Sequence, residues 1–313
     1  MKCLVSGATG YIGRHLCREL LARGDSVIAL SKTGAPLPDG TPTRAIDLAR
    51  AMPGRELLEG VDVVFHLAGI AHQKAEAHSY RELNEEATLQ LARHAAAAGV
   101  RQFLFLSSVK AMGPANDSSE RAELDCNPPV DPYGWSKWSA ENGLLAEFSQ
   151  GSMGVVILRP ALVYGPAAKG NLALLASGVR AGLPRPPALG ARSMVAVSDL
   201  VSLLCLLSLE PHDGVRTFIV ADGQHYSTRF VYDELRLAAG KGVGRAWLPV
   251  LGWRLAAALL DLRSGGAGES TFEKLFGTEL YSNAFVLAST SWRPQLHLQD
   301  LAADMMAPTE GKP

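Results

Sequence analysis

The sequence predicts an α/β protein, built on a doubly wound parallel sheet with a smaller C-terminal lobe. Three observations predict this fold class. Short, continuously apolar runs recur through the first half of the chain, for example at residues 61–67 and 155–158. Amphipathic stretches of helical length separate these runs, and a glycine-rich turn follows the first of them. Because continuous rather than alternating apolar runs are typical of strands buried on both faces, helices should cover both sides of a parallel sheet.

The individual elements can be justified in chain order. The helix predicted from residue 12 ends before Gly24 and the one predicted over 80–98 ends before Gly99, since glycine adopts the left-handed conformation that terminates helices. Asp131 and Pro132 predict the start of a further helix as its cap and first residue. The predicted strands cover 3–5, 26–30, 61–67, 103–106, 155–158 and 217–221, and later helices cover 229–239 and 247–262.

The domain organisation is predicted from a change in the sequence after Tyr164. Clusters of proline and glycine begin there, and the predicted helices and strands become shorter. We expect residues 1–163 to form a dinucleotide-binding domain, to which residues 193–235 return. Residues 164–192 and 236–313 are expected to form a substrate-binding lobe.

Composition excludes several classes of protein. Thirty Lys and Arg balance 31 Asp and Glu, so the net charge of -1 offers no basic surplus for nucleic acid. The four cysteines are widely spaced without a CxxC pair, which argues against a zinc site or a disulfide framework, and no metal is expected. The most apolar stretch, 200–209, is about half of the ~20 residues that a membrane span needs. We therefore expect a cytoplasmic protein with no nucleic-acid or membrane partner.

The turn after the first strand predicts a phosphate-binding site. Gly7, Gly10 and Gly13 permit a tight turn and close packing, and Tyr11 and Ile12 begin a helix whose free N–H groups would face a pyrophosphate. The spacing is GxxGxxG rather than the general GxGxxG fingerprint, so glycines that serve packing alone are the alternative.

The end of the second strand bears on the choice of cofactor. A carboxylate for the ribose hydroxyls is usual there, whereas this chain has Ser31 and Lys32. A hydroxyl and an ammonium would accept a 2′-phosphate, so NADP(H) is the predicted cofactor and NAD(H) the alternative. Asp47 and Leu48, after the next apolar run, are predicted to contact the cofactor, Asp47 at the adenine, and a helix cap is the alternative role for Asp47.

Tyr133 and Lys137 are the candidate catalytic pair. They stand four residues apart, so both side chains lie on one helix face. A phenol has an ordinary pKa of about 10, and a nearby ammonium would lower that pKa enough for proton transfer near neutral pH. Ser107 and Ser108 end a neighbouring strand at the sheet edge where such folds bind ligands. His66 is interpreted as a hydrogen-bonded strand-end residue rather than a base.

These motifs together resemble the extended short-chain dehydrogenases/reductases of nucleotide sugars, which have a Rossmann fold, and in particular the UDP-galactose 4-epimerase branch. The resemblance implies that Ser108, Tyr133 and Lys137 are catalytic and that Tyr133 and Lys137 also contact the cofactor. The remaining motifs on which the resemblance rests are His66-Leu67-Ala68-Gly69, Asn84-Glu85-Glu86-Ala87-Thr88, Leu158-Arg159-Pro160, Lys169-Gly170-Asn171 and Arg192 to Asp199.

Within that resemblance, further roles are implied residue by residue. Leu67, Ala68, Gly69 and Pro160 would line the cofactor. Asn84 would position active-site backbone and water near it. Asn171 and Arg192 would meet the diphosphate of a UDP-sugar, and the family commonly forms homodimers through the helices expected at 80–98 and 133–148.

The departures from the family pattern narrow the range of reactions that the protein is expected to catalyse. Sugar dehydratases carry an acidic pair where this chain has Val109 and Lys110, so dehydration is excluded. The first hypothesis is NADPH-dependent reduction of a UDP-linked 4-keto sugar for bacterial polysaccharide synthesis, in which Ser108 binds the keto oxygen and Tyr133 supplies the proton. The alternatives are a UDP-sugar 4-epimerase with tightly bound NAD, a non-catalytic NADP(H)-binding sensor, and a reductase of a steroid-like ketone.

Overall fold

The central element of the fold is a seven-stranded parallel sheet. The computed structural model describes residues 1–71, 76–168, 170–264 and 270–307, with residues 263 and 264 described by their backbone alone. Two short helical segments have other geometries, the π-helix Arg81–Glu86 and the 3₁₀ helix Val109–Met112. The strands are β1 (Lys2–Ser6), β2 (Ser26–Ser31), β3 (Arg44–Ala45), β4 (Val63–His66), β5 (Gln102–Leu106), β6 (Gly154–Pro160), β7 (Leu162–Tyr164), β8 (Arg192–Ala196), β9 (Val215–Val220) and β10 (His225–Tyr226).

Helices cover both faces of this sheet and build the second lobe. The α-helices are α1 (Tyr11–Ala22), α2 (Arg55–Leu58), α3 (Ala77–Tyr80), α4 (Ala87–Ala97), α5 (Pro132–Phe148), α6 (Asn171–Ala181), α7 (Val197–Leu207), α8 (Thr228–Ala238), α9 (Val250–Ser264), α10 (Thr271–Phe276), α11 (Ala284–Ser289) and α12 (Leu298–Met306). In the described ranges, no helix is both long and apolar enough to cross a membrane.

The strand order β3-β2-β1-β4-β5-β6-β9 confirms the doubly wound parallel sheet that the sequence predicts. The order reverses between β1 and β4, which opens a crevice at the carboxyl ends of those strands. Two separate apolar clusters fill the faces of the sheet, one beneath α1 and α7 and the other beneath α4 and α5. The strands that form the crevice are therefore packed on both faces by residues that are almost fully buried.

The smaller lobe is organised around a three-stranded sheet, β10-β8-β7, which the sequence did not predict. Of the segment 193–235 assigned to the first domain, α7 and β9 do lie against the main sheet. However, β8 and β10 belong to the small sheet, and α8 packs on α6 and α12. The reason is a third apolar cluster, where Tyr232 and Leu235 of α8 pack with Tyr164 and Leu298.

Candidate active site

The glycine turn sits at the switch point of the sheet, against the chain that leaves β4. Gly7 has φ +70°, and a Cβ there would lie 2.7 Å from the Ala68 nitrogen. A Cβ on Gly13 would lie 2.2 Å from the Gly7 carbonyl oxygen. Both glycines are therefore required for packing as well as for any ligand. The N-terminus of α1 has no side-chain cap, so its positive end remains available to an anion.

Tyr11 adds a second feature that fits a ligand beside this turn. Its hydroxyl is buried and has no hydrogen-bond partner among the described residues. The hydroxyl would lie 3.0 Å from a Cβ built on Gly165, the residue after β7. A buried polar atom without a partner is uncommon and often marks the place of a ligand or water. The turn, the uncapped helix and Tyr11 together fit a nicotinamide dinucleotide.

The two residues that suggested NADP(H) are already engaged. The Ser31 hydroxyl is buried, accepts a hydrogen bond from the Gly34 nitrogen at 2.9 Å and lies 2.7 Å from the Thr43 hydroxyl. The Lys32 ammonium lies 3.3 Å from the Asp47 carboxylate. Asp47 caps a turn, not the helix that the capping alternative invoked, and Leu48 is buried in the core. A carboxylate therefore stands beside the position predicted for a 2′-phosphate.

Ser108 and Tyr133 meet at the carboxyl edge, as the sequence predicted. Ser108 lies close enough to the Tyr133 hydroxyl to act on its pKa, and the Ser108 oxygen accepts a hydrogen bond from the Lys110 nitrogen at 3.2 Å. Burial raises the pKa of Tyr133 to about 12, and Ser108 counteracts that shift only in part. The phenol is therefore protonated at neutral pH in the protein by itself.

Lys137 lies on the same helix face but directs its ammonium elsewhere. The Nζ atom donates to the Leu106 carbonyl oxygen at 2.9 Å and lies 4.5 Å from the centre of the Phe105 ring. Burial lowers the pKa of Lys137 to about 8, although Glu141 acts to raise it. The expected lowering of the Tyr133 pKa by Lys137 is thus not observed, because burial of the phenol outweighs its neighbours.

Asn84 links the end of β4 to the start of α5. Its side chain accepts from the Ile70 nitrogen at 2.8 Å and donates to the Ile70 carbonyl and to the Ser136 hydroxyl, each at 3.0 Å. A Cβ on Gly69 would lie 2.9 Å from Asn84 Oδ1 and 3.3 Å from Lys137 Nζ. Asn84 is the buried residue of the π-helix, a geometry often found at functional sites. It holds the crevice walls together.

His66 is fully buried and has hydrogen bonds at both ring nitrogens. Nδ1 lies 2.7 Å from the Ser6 hydroxyl, and Nε2 lies 2.9 Å from the Thr88 hydroxyl. Thr88 donates to the Asn84 carbonyl, so it must accept from Nε2–H, while Ser6 donates to Nδ1. Since Nε2 donates and Nδ1 accepts, these hydrogen bonds require a neutral imidazole. They confirm that His66 is a structural residue.

We expect His66 to make the protein sensitive to acid. Burial lowers the pKa of His66 from 6.5 to about 3. At a pH between these two values, His66 is protonated in the unfolded chain and neutral in the native state. Stability should therefore fall as the pH drops, by about 2 kcal/mol between pH 6.5 and pH 5. Urea unfolding at both pH values should show this loss in the wild type and a smaller one in His66→Gln. Equal losses would contradict the assignment.

A buried ion pair beside Ser107, the neighbour of Ser108, was not found by sequence reasoning. Glu141 and Arg159 pair at 2.6 Å with almost no solvent exposure, and the neighbouring Ser107 hydroxyl donates to Glu141. The one signal that the sequence offers for this pair is that Glu141 lies within a predicted helix and Arg159 directly follows an apolar strand. The pair ties α5 to the ends of β5 and β6, where Pro160 also lies.

A second charged group includes Lys110, in the 3₁₀ helix that follows Ser108. The Glu279 carboxylate pairs with the Lys110 ammonium and the Arg192 guanidinium, each at 2.5 Å. Burial acts to raise the pKa of Glu279, but the two cations outweigh it and hold that pKa below its usual value. Sequence reasoning found Arg192 but missed Glu279, because the pairing joins segments distant in the chain. Asn171 is exposed at the start of α6.

The fold and the Ser–Tyr–Lys arrangement define an enzyme of the extended short-chain dehydrogenase/reductase class. Residues 3–221 match the model of the NAD dependent epimerase/dehydratase family. The chain belongs to that family.

Individual relatives agree with this assignment. The chain is 32% identical to a UDP-glucose 4-epimerase of Vibrio cholerae, over 95% of this chain and 92% of the relative. Among solved structures, a UDP-glucose 4-epimerase of Thermus thermophilus in complex with NAD has a TM-score of 0.74 at 25% identity, with 98% of each chain covered. That of Thermotoga maritima with UDP-glucose has a TM-score of 0.78 at 20% identity, covering 98% of this chain and 97% of that one.

Proposed function

We propose that the protein interconverts the C4 epimers of a UDP-linked sugar and retains NAD between turnovers. The observation that carries this proposal is the proximity of the Ser108 and Tyr133 hydroxyls at the carboxyl edge of the sheet, where Ser108 acts on the pKa of the phenol. Two hydroxyls in contact can bind the O4 atom of a sugar and move its proton. The curated relative that is similar over nearly the whole chain is a UDP-glucose 4-epimerase.

The proposed chemistry divides between cofactor and protein. When bound, the nicotinamide supplies reversible hydride transfer at C4. Tyr133 holds its own proton in the protein by itself, so it would first have to release that proton, as the positive charge of an oxidised nicotinamide beside it would favour. As phenolate it would take the O4 proton while the sugar is oxidised to the 4-keto form, and Ser108 would hold O4 throughout. After the sugar turns over in the site, Tyr133 would return the proton to O4, and the bound cofactor would supply hydride to the opposite face of C4. Because the two half-reactions cancel, no external reductant is consumed.

The surroundings of Ser31 support NAD rather than NADP. Its hydroxyl already accepts a hydrogen bond from the Gly34 nitrogen and lies against the Thr43 hydroxyl. A 2′-phosphate would also approach the Asp47 carboxylate, which lies against Lys32. An anion gains little from a lysine already paired with a carboxylate.

At the other end of the crevice, Arg192 is proposed to meet the UDP diphosphate. Its guanidinium is half-buried and pairs with Glu279, so the diphosphate would either bind the guanidinium together with that carboxylate or displace the carboxylate. Asn171, exposed at the N-terminus of α6, is proposed to contribute a further polar contact.

The second candidate is the NADPH-dependent reduction of a UDP-linked 4-keto sugar in polysaccharide synthesis. One observation favours it, since the Lys32 side chain is 77% exposed and its pairing with Asp47 is correspondingly weak. A non-catalytic sensor has no use for the Ser108–Tyr133 contact.

We expect the purified protein to carry NAD and to convert UDP-glucose or its N-acetyl derivative to the C4 epimer without added cofactor. Spectroscopy of the nicotinamide released on denaturation and chromatography of the UDP-sugars measure both. Lys32→Ala should leave NAD affinity within a few-fold of the wild type. Arg50→Ala is the matched control, because Arg50 is an exposed cation beside the same carboxylate.

Two other results would contradict the epimerase proposal. One is NADPH consumption on a UDP-4-keto sugar, lost in Lys32→Ala but kept in Arg50→Ala, which would favour the reductase. The other is the absence of any bound or bindable nicotinamide.

We also propose a homodimer formed through α4 and α5. The two helices pack side by side, and Arg93 pairs with Glu147 across their outer surface. Leu145 is partly exposed on α5. Sedimentation velocity on the same preparation measures the oligomeric state.

A further inference from the structure

The helix α9 presents its most apolar face to solvent. Leu251, Leu255, Leu259 and Leu262 recur at intervals of four, four and three residues, so they lie along one side of the helix. Each of these four leucines is 60–78% exposed. A helix on a protein surface ordinarily turns charged and polar residues outward. We refer to these four residues as the leucine face.

The opposite side of α9 makes the contacts with the rest of the protein. Trp253 and Ala257 are its buried residues, and the Trp253 ring lies 5.7 Å from that of Phe276 in α10. Asp261 accepts hydrogen bonds from Thr271. The leucine face therefore points away from α10.

The segment of the sequence that contains this face has an excess of cations. Residues 241–264 contain four cations, at Lys241, Arg245, Arg254 and Arg263, against the one carboxylate of Asp261. That carboxylate is bound to Thr271 on the inner side. The whole chain, by contrast, has a net charge of -1. A local excess of cations beside an apolar surface complements anionic lipid headgroups.

The composition of the face suits lipid better than protein. Protein interfaces are enriched in aromatic residues, methionine and arginine and carry regular hydrogen bonds. The four positions of the leucine face are aliphatic and need no polar partner. Just before the helix, Trp247 is 70% exposed, and tryptophan is favoured at the boundary between acyl chains and water.

We propose that the leucine face of α9 docks the protein on the surface of a bilayer containing anionic phospholipid. The 15-residue helix is about 22 Å long, less than the ~30 Å of a hydrocarbon core, so it lies in the interface and does not span it. The leucines enter the acyl boundary, Trp247 lies at headgroup depth, and the cations meet lipid phosphates. This inference does not depend on the proposed reaction, and it replaces the sequence-based expectation of no membrane partner.

Flotation of the full-length protein with vesicles tests this proposal. Vesicles of phosphatidylcholine with phosphatidylglycerol should carry the wild type, more strongly than phosphatidylcholine alone and less strongly as salt is raised. The double variant Leu255→Glu/Leu259→Glu should lower the partition coefficient at least about tenfold. Leu209→Glu is the matched control, because Leu209 is comparably exposed at 56% but follows α7 on the other domain. It should float like the wild type.

Several outcomes would overturn the proposal. One is failure of the wild type to float with either vesicle, and another is equal flotation of the double variant. Self-association that the double variant abolishes, with no vesicle binding, would assign the face to a second copy of the chain. Cofactor binding and thermal unfolding establish that each variant is folded. Should the double variant not fold, Leu255→Gln and Leu259→Gln are measured singly, and each should weaken flotation.

Discussion

Tyr133→Phe is expected to lower turnover by about 10²–10⁴-fold, the range that a positioned general acid–base group contributes. The substitution removes only the hydroxyl that lies close to Ser108. The ring should remain in place, because it packs against Tyr80 with 6.1 Å between centroids. Cofactor affinity should therefore change by no more than a few-fold. Steady-state turnover and cofactor titration on the same preparation measure the two effects.

The matched control for this variant is Tyr232→Phe. Tyr232 is buried and donates through its hydroxyl to the Leu183 carbonyl at 2.6 Å, but it lies in the core of the smaller lobe. Its variant should retain turnover close to that of the wild type. Near-normal turnover in Tyr133→Phe would remove the acid–base assignment. An equal loss in both variants would indicate a structural effect of losing a buried hydroxyl.

Arg159→Leu is expected to destabilise the protein by about 3–5 kcal/mol, the usual cost of leaving one partner of a buried ion pair uncompensated. Glu141 would keep the Ser107 hydroxyl as a partner but lose its cation. Arg93→Leu is the matched control, since the Arg93–Glu147 pair has comparable geometry but is exposed. That loss should stay below about 1 kcal/mol. Urea unfolding measures both free energies.

A double variant sharpens this second test. In Arg159→Leu/Glu141→Leu no charge remains buried, so the double variant should be more stable than Arg159→Leu alone. If the double variant is as unstable as the single one, the cost comes from lost packing and not from the unpaired Glu141 carboxylate. A loss in Arg159→Leu no larger than in Arg93→Leu would contradict the buried pair altogether.

The main sheet was predictable because its pattern is local. A run such as Val155–Val156–Ile157–Leu158 is apolar throughout, and that composition alone indicates a strand covered on both faces. The small sheet was not predictable in the same way. Strands β7 and β10 have three and two residues, too few to show a period, and they are held by pairing with β8.

By itself, the sequence determined the fold class, the glycine turn and the positions of Ser108, Tyr133 and Lys137, since each depends on residue type and on spacing within one turn or helix. Only the tertiary structure decided which charges meet. It brought Glu279 between Lys110 and Arg192, paired Lys32 with Asp47, and buried Tyr133 deeply enough to raise its pKa. Electrostatic environment depends on distance and burial in space, and residues far apart in the chain set both.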